Sequence, residues 1–443
     1  MPCDTLTVWL SQLRRMTERR WTRRALLSGL GAAAAGAAAG CTAPAKSRAS
    51  TRTASAAGGE SAATDVSLSS SDAWTTYGYE PGHTGFNPDA SAVGSDASQA
   101  WAAGVEGIYT LREPAVADGR LFVGSKETMW AFDASTGVDE WTAYLGGMTH
   151  HFAPTYRDGT LFAVSKAAGG VNNGAPGNVQ AIDAASGRVA WSRSVPATTT
   201  VTHDGSRLYV AGKEDGSAFV RALDPESGER GWRFDVTATD RSSVTGTPAY
   251  ARQTLYVAAT LVAADGATAG RLYALDPADA STKWSVGTEA ALSVAPVATD
   301  DLVYLAARDG TVHAVAHDGE PAWTANTGSS VYSRPTHADG RLFVVTTGDV
   351  VAVDDDSGEE AWRAGSERTQ MTGATVAGDT LYVGGEPLFA LDTATGDERV
   401  ALPVSEFHGA YGAPVAAGDA LFVGVCIKDQ MGARYDNYVR AYT

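Results

Sequence analysis

The sequence predicts an all-β protein folded as an eight-bladed β-propeller, with four antiparallel strands in each blade and the last blade closed by an N-terminal strand. Three observations support this prediction. One turn motif ending in Trp recurs along the chain, an apolar hairpin precedes many of its copies, and a stray copy of its last part lies ahead of the first repeat. A variable period of roughly 40 residues, with about four short strands in each unit, is typical of propeller blades.

The repeated turn has the pattern Asp-x-x-Ser/Thr-Gly-x-x-x-Trp and is clearest from Asp133 to Trp141. Three further strong copies begin at Asp183, Asp224 and Asp354. Three weaker copies begin at Asp276, Asp318 and Asp392. The copy at Asp392 has Val400 in place of Trp. Glycine relieves the tight turn at positive φ, and a large Trp ring can fill the gap against the next blade. The predicted blade-docking residues are Trp101, Trp141, Trp191, Trp232, Trp284, Trp323 and Trp362.

Each repeat is expected to begin with a β-hairpin. Asp118-Gly119 stands between alternating apolar runs, and the pair recurs at Asp158-Gly159 and Asp339-Gly340 and, inverted, at Gly418-Asp419. Asp-Gly between such runs predicts a two-residue turn, because both turn residues need positive φ.

The two ends of the repeat region predict how the ring closes. The last unit ends at Tyr438–Thr443 without a turn motif, and the fragment around Trp101 precedes the first unit as an orphan outer strand. We therefore expect the strand at Trp101 to complete the last blade, which removes the open sheet edges that would otherwise pair with other chains.

Composition and charge exclude some functions. The chain carries 51 acidic and 34 basic residues, a net charge of −17, and 44% of its residues are hydrophobic, enough for a large core. So acidic a surface argues against nucleic-acid binding, which needs clustered Lys and Arg. The acidic charge and the scarcity of Lys beside abundant Ala and Gly favour a halophilic source; the alternative is a genome of high GC content, which gives much of the same bias.

The first 73 residues are predicted to contain a targeting signal followed by a flexible tether. Residues 1–40 read as a signal peptide, and Arg23-Arg24 resembles the twin-arginine export motif. Small residues before Cys41 resemble a lipoprotein cleavage box, so Cys41 is the predicted lipidation site; the alternative is a secreted protein with an ordinary cleavage site. Residues 41–73 read as a flexible Ala/Ser/Thr-rich tether, 74–97 as a lead-in segment and 98–443 as the propeller. This predicts an exported protein at the cell surface or in a periplasm-like space, held to the membrane only through a lipid at Cys41.

The turn motif after a Leu-Phe/Tyr-Val strand resembles the repeat of the pyrroloquinoline-quinone (PQQ) type of eight-bladed propellers, over roughly residues 98–443. In that family the Trp is an inter-blade docking residue. Residues Trp74, Gly78 and 83–86 also resemble the segment that precedes the propeller in haloarchaeal members.

The resemblance implies two kinds of function. Some members bind PQQ and calcium and oxidise alcohols or sugars; others act as scaffolds, such as the lipoprotein of the bacterial outer-membrane assembly machine. The alcohol-oxidising members carry adjacent cysteines, and this chain has none. We therefore expect a non-catalytic module, a monomer without a cofactor or metal, that binds envelope or cell-surface proteins through the channel mouth and long loops at 167–177 and 263–270. The alternative is a dehydrogenase that uses PQQ and calcium.

Candidate binding residues come from the positions just before each innermost strand, which should ring the central channel. These positions are Arg112-Glu113, His150-His151, Thr199-Thr200, Val244-Thr245, Leu292-Ser293, Tyr332-Ser333-Arg334, Met371-Thr372, and His408 with Tyr411. The predicted ligand residues among them are Arg112, His150, His151, Tyr332, Arg334, His408 and Tyr411, which would bind an anion, a peptide carboxylate or a sugar. The alternative is a channel that holds only water. The other histidines, including His83 and His337, are expected in solvated loops.

Overall fold

The computed structural model describes residues 66–69, 72–94, 96–107, 111–149, 151–166, 177–236, 239, 241–365, 372–385, 388–401, 408–410, 412–428 and 435–443. Within these ranges all regular structure is β, which confirms the predicted fold class. No helix in the described part of the chain is long and apolar enough to cross a membrane.

Eight sheets form the blades, and two strands from the N-terminal region join the last two of them. These two strands are β1 (Phe86–Asn87) and β2 (Gln99–Val105). Blade 1 contains β3 (Ala115–Ala117), β4 (Arg120–Ser125), β5 (Thr128–Asp133) and β6 (Asp139–Tyr144). Blade 2 contains β7 (Thr155–Arg157), β8 (Thr160–Ser165), β9 (Asn178–Asp183) and β10 (Val189–Ser194). Blade 3 contains β11 (Thr202–His203), β12 (Leu208–Glu214), β13 (Ser217–Leu223) and β14 (Arg230–Val236).

The inner strand of blade 4 is in two pieces that both pair with the next strand. This blade contains β15 (Ser243–Val244), β16 (Ala249–Ala251), β17 (Thr254–Val262), β18 (Thr268–Leu275) and β19 (Thr282–Thr288). Blade 5 contains β20 (Val297–Ala298), β21 (Leu302–Ala306), β22 (Thr311–Ala316) and β23 (Pro321–Asn326). Blade 6 contains β24 (Thr336–Ala338), β25 (Arg341–Val345), β26 (Asp349–Asp354) and β27 (Glu360–Gly365).

Blade 7 gains β1 as a parallel partner of its inner strand. Its own strands are β28 (Ala374–Ala377), β29 (Thr380–Val383), β30 (Phe389–Asp392) and β31 (Glu398–Ala401). Blade 8 contains β32 (His408–Ala410), β33 (Val415–Ala417), β34 (Ala420–Lys428) and β35 (Tyr435–Tyr442), and β2 is its outermost strand.

The hydrophobic core lies between neighbouring blades. Phe122 and Ala131 of blade 1, for example, pack in one cluster with Leu161 and Ile182 of blade 2. Because each blade is covered on both faces, its second strand is buried along most of its length, as in β4 and β8. The outer strands, such as β23, are largely exposed.

The conserved pattern of the repeated turn within this chain has a direct structural cause. Asp133 Oδ1 accepts hydrogen bonds from the backbone N–H groups of Ser135 (3.1 Å) and Thr136 (2.9 Å) and from both hydroxyls. Gly137 follows at φ 70° and donates to the Asp133 carbonyl. These bonds lower the pKa of Asp133 below its usual value, against the opposing effect of partial burial. An aspartate at the first position and a hydroxyl before the glycine therefore form one local network.

Each motif Trp docks on the turn of the following blade. Trp141 Nε1 donates to the Ala184 carbonyl at 2.9 Å, and a Cβ on Gly187 would lie 2.6 Å from the Trp141 ring. The same donation to a neighbouring turn is made by Trp101, Trp191, Trp232, Trp284, Trp323 and Trp362. Glycine is thus needed both for its positive φ and because the ring lies where a side chain would begin.

The N-terminal strand closes the ring as predicted. β2 pairs antiparallel with β35, and Ser98 and Thr443 exchange two backbone hydrogen bonds beyond that ladder. Trp101 of this strand then docks on the first turn of blade 1, where its Nε1 donates to the Ala134 carbonyl. Blades 8 and 1 are therefore joined by the same Trp-to-turn contact as blades that follow one another in sequence, such as blades 1 and 2.

The lead-in segment (74–97) is an integral part of the ring. Its carbonyl groups accept hydrogen bonds from the inner strands of several blades: Thr75 from the Tyr156 N–H, Pro81 from the Tyr250 N–H and Gly82 from the Ala298 N–H. Further bonds join it to Val116, His337, Val376 and Ala416, so that it contacts blades 1, 2, 4, 5, 6, 7 and 8. Trp74 and His83 are fully buried along this path. The segment thus fills one end of the central channel.

The lead-in segment also completes the joint where the docking Trp is missing. Val400 ends the blade 7 motif, and here Ala90 and Val93 pack in a cluster with Tyr382 of blade 7 and Leu421 of blade 8. The Tyr382 hydroxyl donates to the Val93 carbonyl at 2.8 Å. Apolar residues from outside the repeat therefore fill the gap between blades 7 and 8, as a Trp ring does between other neighbouring blades.

Candidate functional site at the channel mouth

The two ends of the channel differ in what surrounds them. One end carries the Asp-Gly hairpin turns, such as Asp118-Gly119, together with the turns on which the Trp residues dock. We call it the turn face, and the lead-in segment fills it. The opposite end is the mouth face, which carries the connections that enter each inner strand and the hairpins between the second and third strands. One of these hairpins, between β17 and β18, is extended: the predicted loop at 263–270 is partly strand, since Val262 pairs with Thr268.

A cavity of about 380 Å³ opens on the mouth face. Four of the predicted ligand residues line it: Arg112, His151, Tyr332 and Arg334. His150 and Tyr411 lie outside the described residues, and of His408 only the backbone is described, in β32. The two arginines of blades 1 and 6 thus line one cavity.

The ring positions agree with the prediction in most blades and shift in blade 4. Thr199, Thr200, Ser293 and Thr372 line the cavity, but Gly246 and Thr247 do so in place of the expected Val244-Thr245. Val244 instead belongs to β15, where it pairs with Ala259. The divided inner strand of this blade moves the lining two positions along the chain.

Arg334 is not free to serve as the charge partner of a ligand. Its side chain is 1% exposed, and its Nη2 donates to Glu113 Oε1 at 3.1 Å across the channel. The second oxygen of Glu113 accepts from the Gly78 amide at 2.9 Å. The Arg334 guanidinium also lies 5.2 Å from the centre of the Tyr77 ring. A paired and hydrogen-bonded buried charge of this kind fixes the relative positions of the elements it joins.

The floor of the cavity comes from the lead-in segment, which the repeat pattern could not predict. Tyr77 lines the cavity, and burial raises its pKa to about 12 against the opposing effect of Arg334. Gly78 and Gly85 have φ of 72° and 71°; a Cβ on Gly85 would collide with Arg334 Nη1, and one on Gly78 would lie 2.8 Å from His83 Cα and 3.0 Å from Arg334 Nε. Nε and Nη1 of Arg334 are buried there without a hydrogen-bond partner.

The prediction that His83 lies in a solvated loop is wrong. Its ring is fully buried against Tyr77, with Nδ1 3.3 Å from the Pro296 carbonyl. Burial, assisted by the positive charge of Arg334, lowers the pKa of His83 to about 3, so the ring is neutral at pH 7. His337 is also no solvated loop residue, since it lies in β24 with Nε2 2.7 Å from Asp355 Oδ2.

The rim carries the positive charge that remains. Arg112 is exposed, and Lys166 lies with Nζ 5.1 Å from the centre of the Phe152 ring, which lines the cavity. Burial and the charges of Lys166 and Arg112 lower the pKa of His151. Lys166 follows a strand at a position that varies between repeats, so sequence alone gave no signal for it.

The residues present do not fit a calcium ion. Calcium prefers six to eight oxygen ligands, several of them carboxylates. Glu113 is the only carboxylate among the described residues that line the cavity, and each of its oxygens already accepts a hydrogen bond. In the described part of the chain no group of three metal-ligating side chains occurs.

The closed ring of Trp-docked blades defines the class of protein as a PQQ-type β-propeller. The family described as outer membrane protein assembly factor BamB matches residues 87–213, 215–329, 268–351 and 346–441. These matches span most of the chain, and the protein belongs to this family. No curated protein sequence matches it.

Solved structures with the same fold include both functional kinds. BamB from Moraxella catarrhalis is 15% identical with a TM-score of 0.59, over 78% of this chain and 99% of that one. Quinohemoprotein alcohol dehydrogenase from Comamonas testosteroni is 14% identical with a TM-score of 0.66, over 85% and 81%. A europium-containing methanol dehydrogenase is 11% identical with a TM-score of 0.68, over 84% and 98%. At these identities the likeness establishes the fold alone.

Proposed function

We propose that the protein is an exported, lipid-anchored monomer that binds proteins of the cell envelope or cell surface and catalyses no reaction. The observation that carries this proposal is the pairing of Glu113. This carboxylate is paired with Arg334 and accepts from the Gly78 amide, and the described lining offers no second carboxylate toward the six to eight oxygen ligands that calcium prefers. Membership of a family described as an assembly factor supports a scaffolding role.

The mouth face is the proposed contact surface. Tyr332 is 64% exposed beside the cavity, and the β17–β18 hairpin is lengthened on the same face. Exposed aromatic residues beside a concavity are frequent anchors of protein interfaces. The predicted loop at 167–177 belongs to the corresponding hairpin of blade 2, although residues 167–176 lie outside the described ranges.

The test is affinity capture from the native envelope with the full chain and two matched variants. Tyr332→Ser removes an exposed side chain on the mouth face; Val138→Ser removes one that is 62% exposed on the turn face. We expect the same partner to be recovered with the native chain and Val138→Ser, and at least about tenfold less with Tyr332→Ser, as for an interface anchor. Equal recovery with both variants, or no reproducible partner, contradicts the proposal.

A PQQ- and calcium-dependent dehydrogenase is the second candidate. Its support is the fold likeness to quinohemoprotein alcohol dehydrogenase, which is as close as the likeness to BamB. Titration of the purified protein with PQQ and Ca²⁺, followed by quinone absorbance and dye-linked alcohol oxidation, separates the candidates. A tight stoichiometric quinone complex with alcohol turnover would replace the scaffold proposal.

The anchor has its own test. Cys41→Ser should release the protein from the membrane fraction, because a thioether-linked lipid requires the sulfur, while the neighbouring Thr42→Ser should not. Mass spectrometry of the N-terminal peptide checks the lipid directly. A soluble native protein that begins at another residue contradicts the anchor.

A further inference from the structure

The described lining of the cavity carries more cations than carboxylates, in a protein with a net charge of −17. It includes Arg112 and Arg334 and a single carboxylate, Glu113. Because Arg334 and Glu113 neutralise each other, the charge of Arg112 remains, and Lys166 stands beside the lining on the Phe152 ring. An acidic chain that places two cations at one concavity creates a local potential that attracts an anion.

The positive charges at the cavity act on one another. Burial and the charge of Arg112 lower the pKa of Lys166, which lies on the ring of the lining residue Phe152, and burial and both charges lower the pKa of the lining residue His151. Among the described residues of the lining, no carboxylate other than Glu113 is present to relieve this repulsion. A bound anion would do so.

Seven Ser and Thr residues are among the described residues that line the cavity. They include Thr198, Thr200, Thr247, Ser293 and Thr372, and Ser333 Oγ is buried there without a hydrogen-bond partner. The volume of about 380 Å³ lies at the small end of the range for small-molecule sites, about 300–1,000 Å³. Hydroxyls donate and accept, so the wall suits a ligand that is itself hydroxylated.

We infer that the channel mouth binds a small hydroxylated organic anion, of the size and chemistry of one sugar acid. Arg112 and Lys166 bind the anionic group, the Thr and Ser wall bonds the ligand hydroxyls, and Tyr332 offers a ring face at the rim. Arg334 acts as a positioning residue that holds Glu113 and Tyr77 beneath the ligand. This inference goes beyond the binding of a protein partner and does not depend on it.

The experiment is isothermal titration calorimetry of the full chain with D-glucuronate, and with glucose 6-phosphate as the other source of an anionic sugar. Glucose and acetate are the matched controls, since glucose has the hydroxyls without the charge and acetate the charge without the hydroxyls. We expect one of the two anionic sugars to bind at a single site at least about tenfold more tightly than either control. The stronger of the two identifies the anionic group.

Two variants locate the binding. Arg112→Gln should weaken binding at least about tenfold, as expected for the loss of a charge-assisted hydrogen bond. Arg188→Gln removes the same charge at an exposed position on the turn face and should leave the affinity unchanged. The inference is overturned if neither anionic sugar binds, if a control binds as well, or if Arg188→Gln weakens binding as much as Arg112→Gln.

Discussion

The Trp side chains at the ends of the repeated turn motifs stabilise the contacts between neighbouring blades. Trp362 is 9% exposed, its Nε1 donates to the Thr393 carbonyl at 3.0 Å, and its ring lies 5.8 Å from Phe343. The ring therefore contributes apolar burial and a directed hydrogen bond at the same joint.

Trp362→Ala should lower the free energy of unfolding by about 3–5 kcal/mol, because it leaves a large cavity between blades 6 and 7. Trp362→Phe should cost less, since only the hydrogen bond and part of the ring are lost. Urea denaturation measures both. Tyr144→Ala, at a residue 70% exposed, is the control and should change stability by no more than about 0.5 kcal/mol; an equal loss there would contradict the docking role.

His83 predicts a pH dependence of stability. Its pKa falls from 6.5 to about 3 on folding, so below pH 6.5 the unfolded chain binds a proton that the native chain does not. Stability contributed by the neutral ring is therefore complete above pH 6.5 and is lost as the pH falls toward 3. Between pH 7 and pH 4.5 this loss amounts to about 2.5 kcal/mol.

The measurement is urea denaturation of the native chain and His83→Asn at several pH values. The variant keeps an amide donor for the Pro296 carbonyl but has no titrating group. Its stability should fall less steeply with acid than that of the native chain, and the two curves should run parallel above pH 7. Parallel curves down to pH 4.5 would show that His83 takes up its proton as readily when folded.

The turns of the repeat could be predicted from the sequence, whereas the contacts of the lead-in segment could not. The hairpins and turns were predictable, because Asp118 and Gly119 both adopt positive φ and Asp133 bonds its own turn. The contacts of Tyr77 and His83 were not, because they lie outside the repeat and depend on which blades surround them. Arg334 could be placed at the channel, but its pairing with Glu113 depends on their separation in space.

Gly85→Ala tests how tightly this segment is fitted. The change combines a positive φ with a collision between the new Cβ and Arg334 Nη1. Gly119→Ala is the matched control, since its φ is 70° and nothing lies within 4 Å of a Cβ there. We expect the control to lose about 1–2 kcal/mol and Gly85→Ala about 2 kcal/mol more; equal losses would mean that Arg334 moves aside at little cost.

For the whole molecule, closure depends on two contributions from the N-terminal region. β2 covers the edge of β35, and the lead-in segment fills the channel and the joint between blades 7 and 8. The closing strand was predictable from the orphan fragment at Trp101. The packing of the lead-in segment between blades 7 and 8 was not predictable, because Val400 shows only that the motif lacks its Trp and not which residues fill the gap.

A truncation series separates the two contributions. A chain beginning at Ser61 should melt like the full protein, since it keeps every residue that the structure describes. One beginning at Ala97 keeps β2 and should melt at lower temperature, and one beginning at Gly107 also lacks β2 and should aggregate through the exposed edge of β35. Calorimetry and light scattering follow the series; a monomeric third chain with an unchanged melting temperature would contradict closure by β2.

The hydrogen bonds between Ser98 and Thr443 join two residues that are far apart in sequence, so that Ser98 is synthesised long before Thr443. The segment that enters the ring first in sequence must wait for the last strand before its own bonds can form. Such sequence-distant contacts slow folding, because loop closure must precede the gain from pairing. Until β35 has left the ribosome, the growing chain therefore keeps β2 as an unpaired edge strand, open to binding by chaperones.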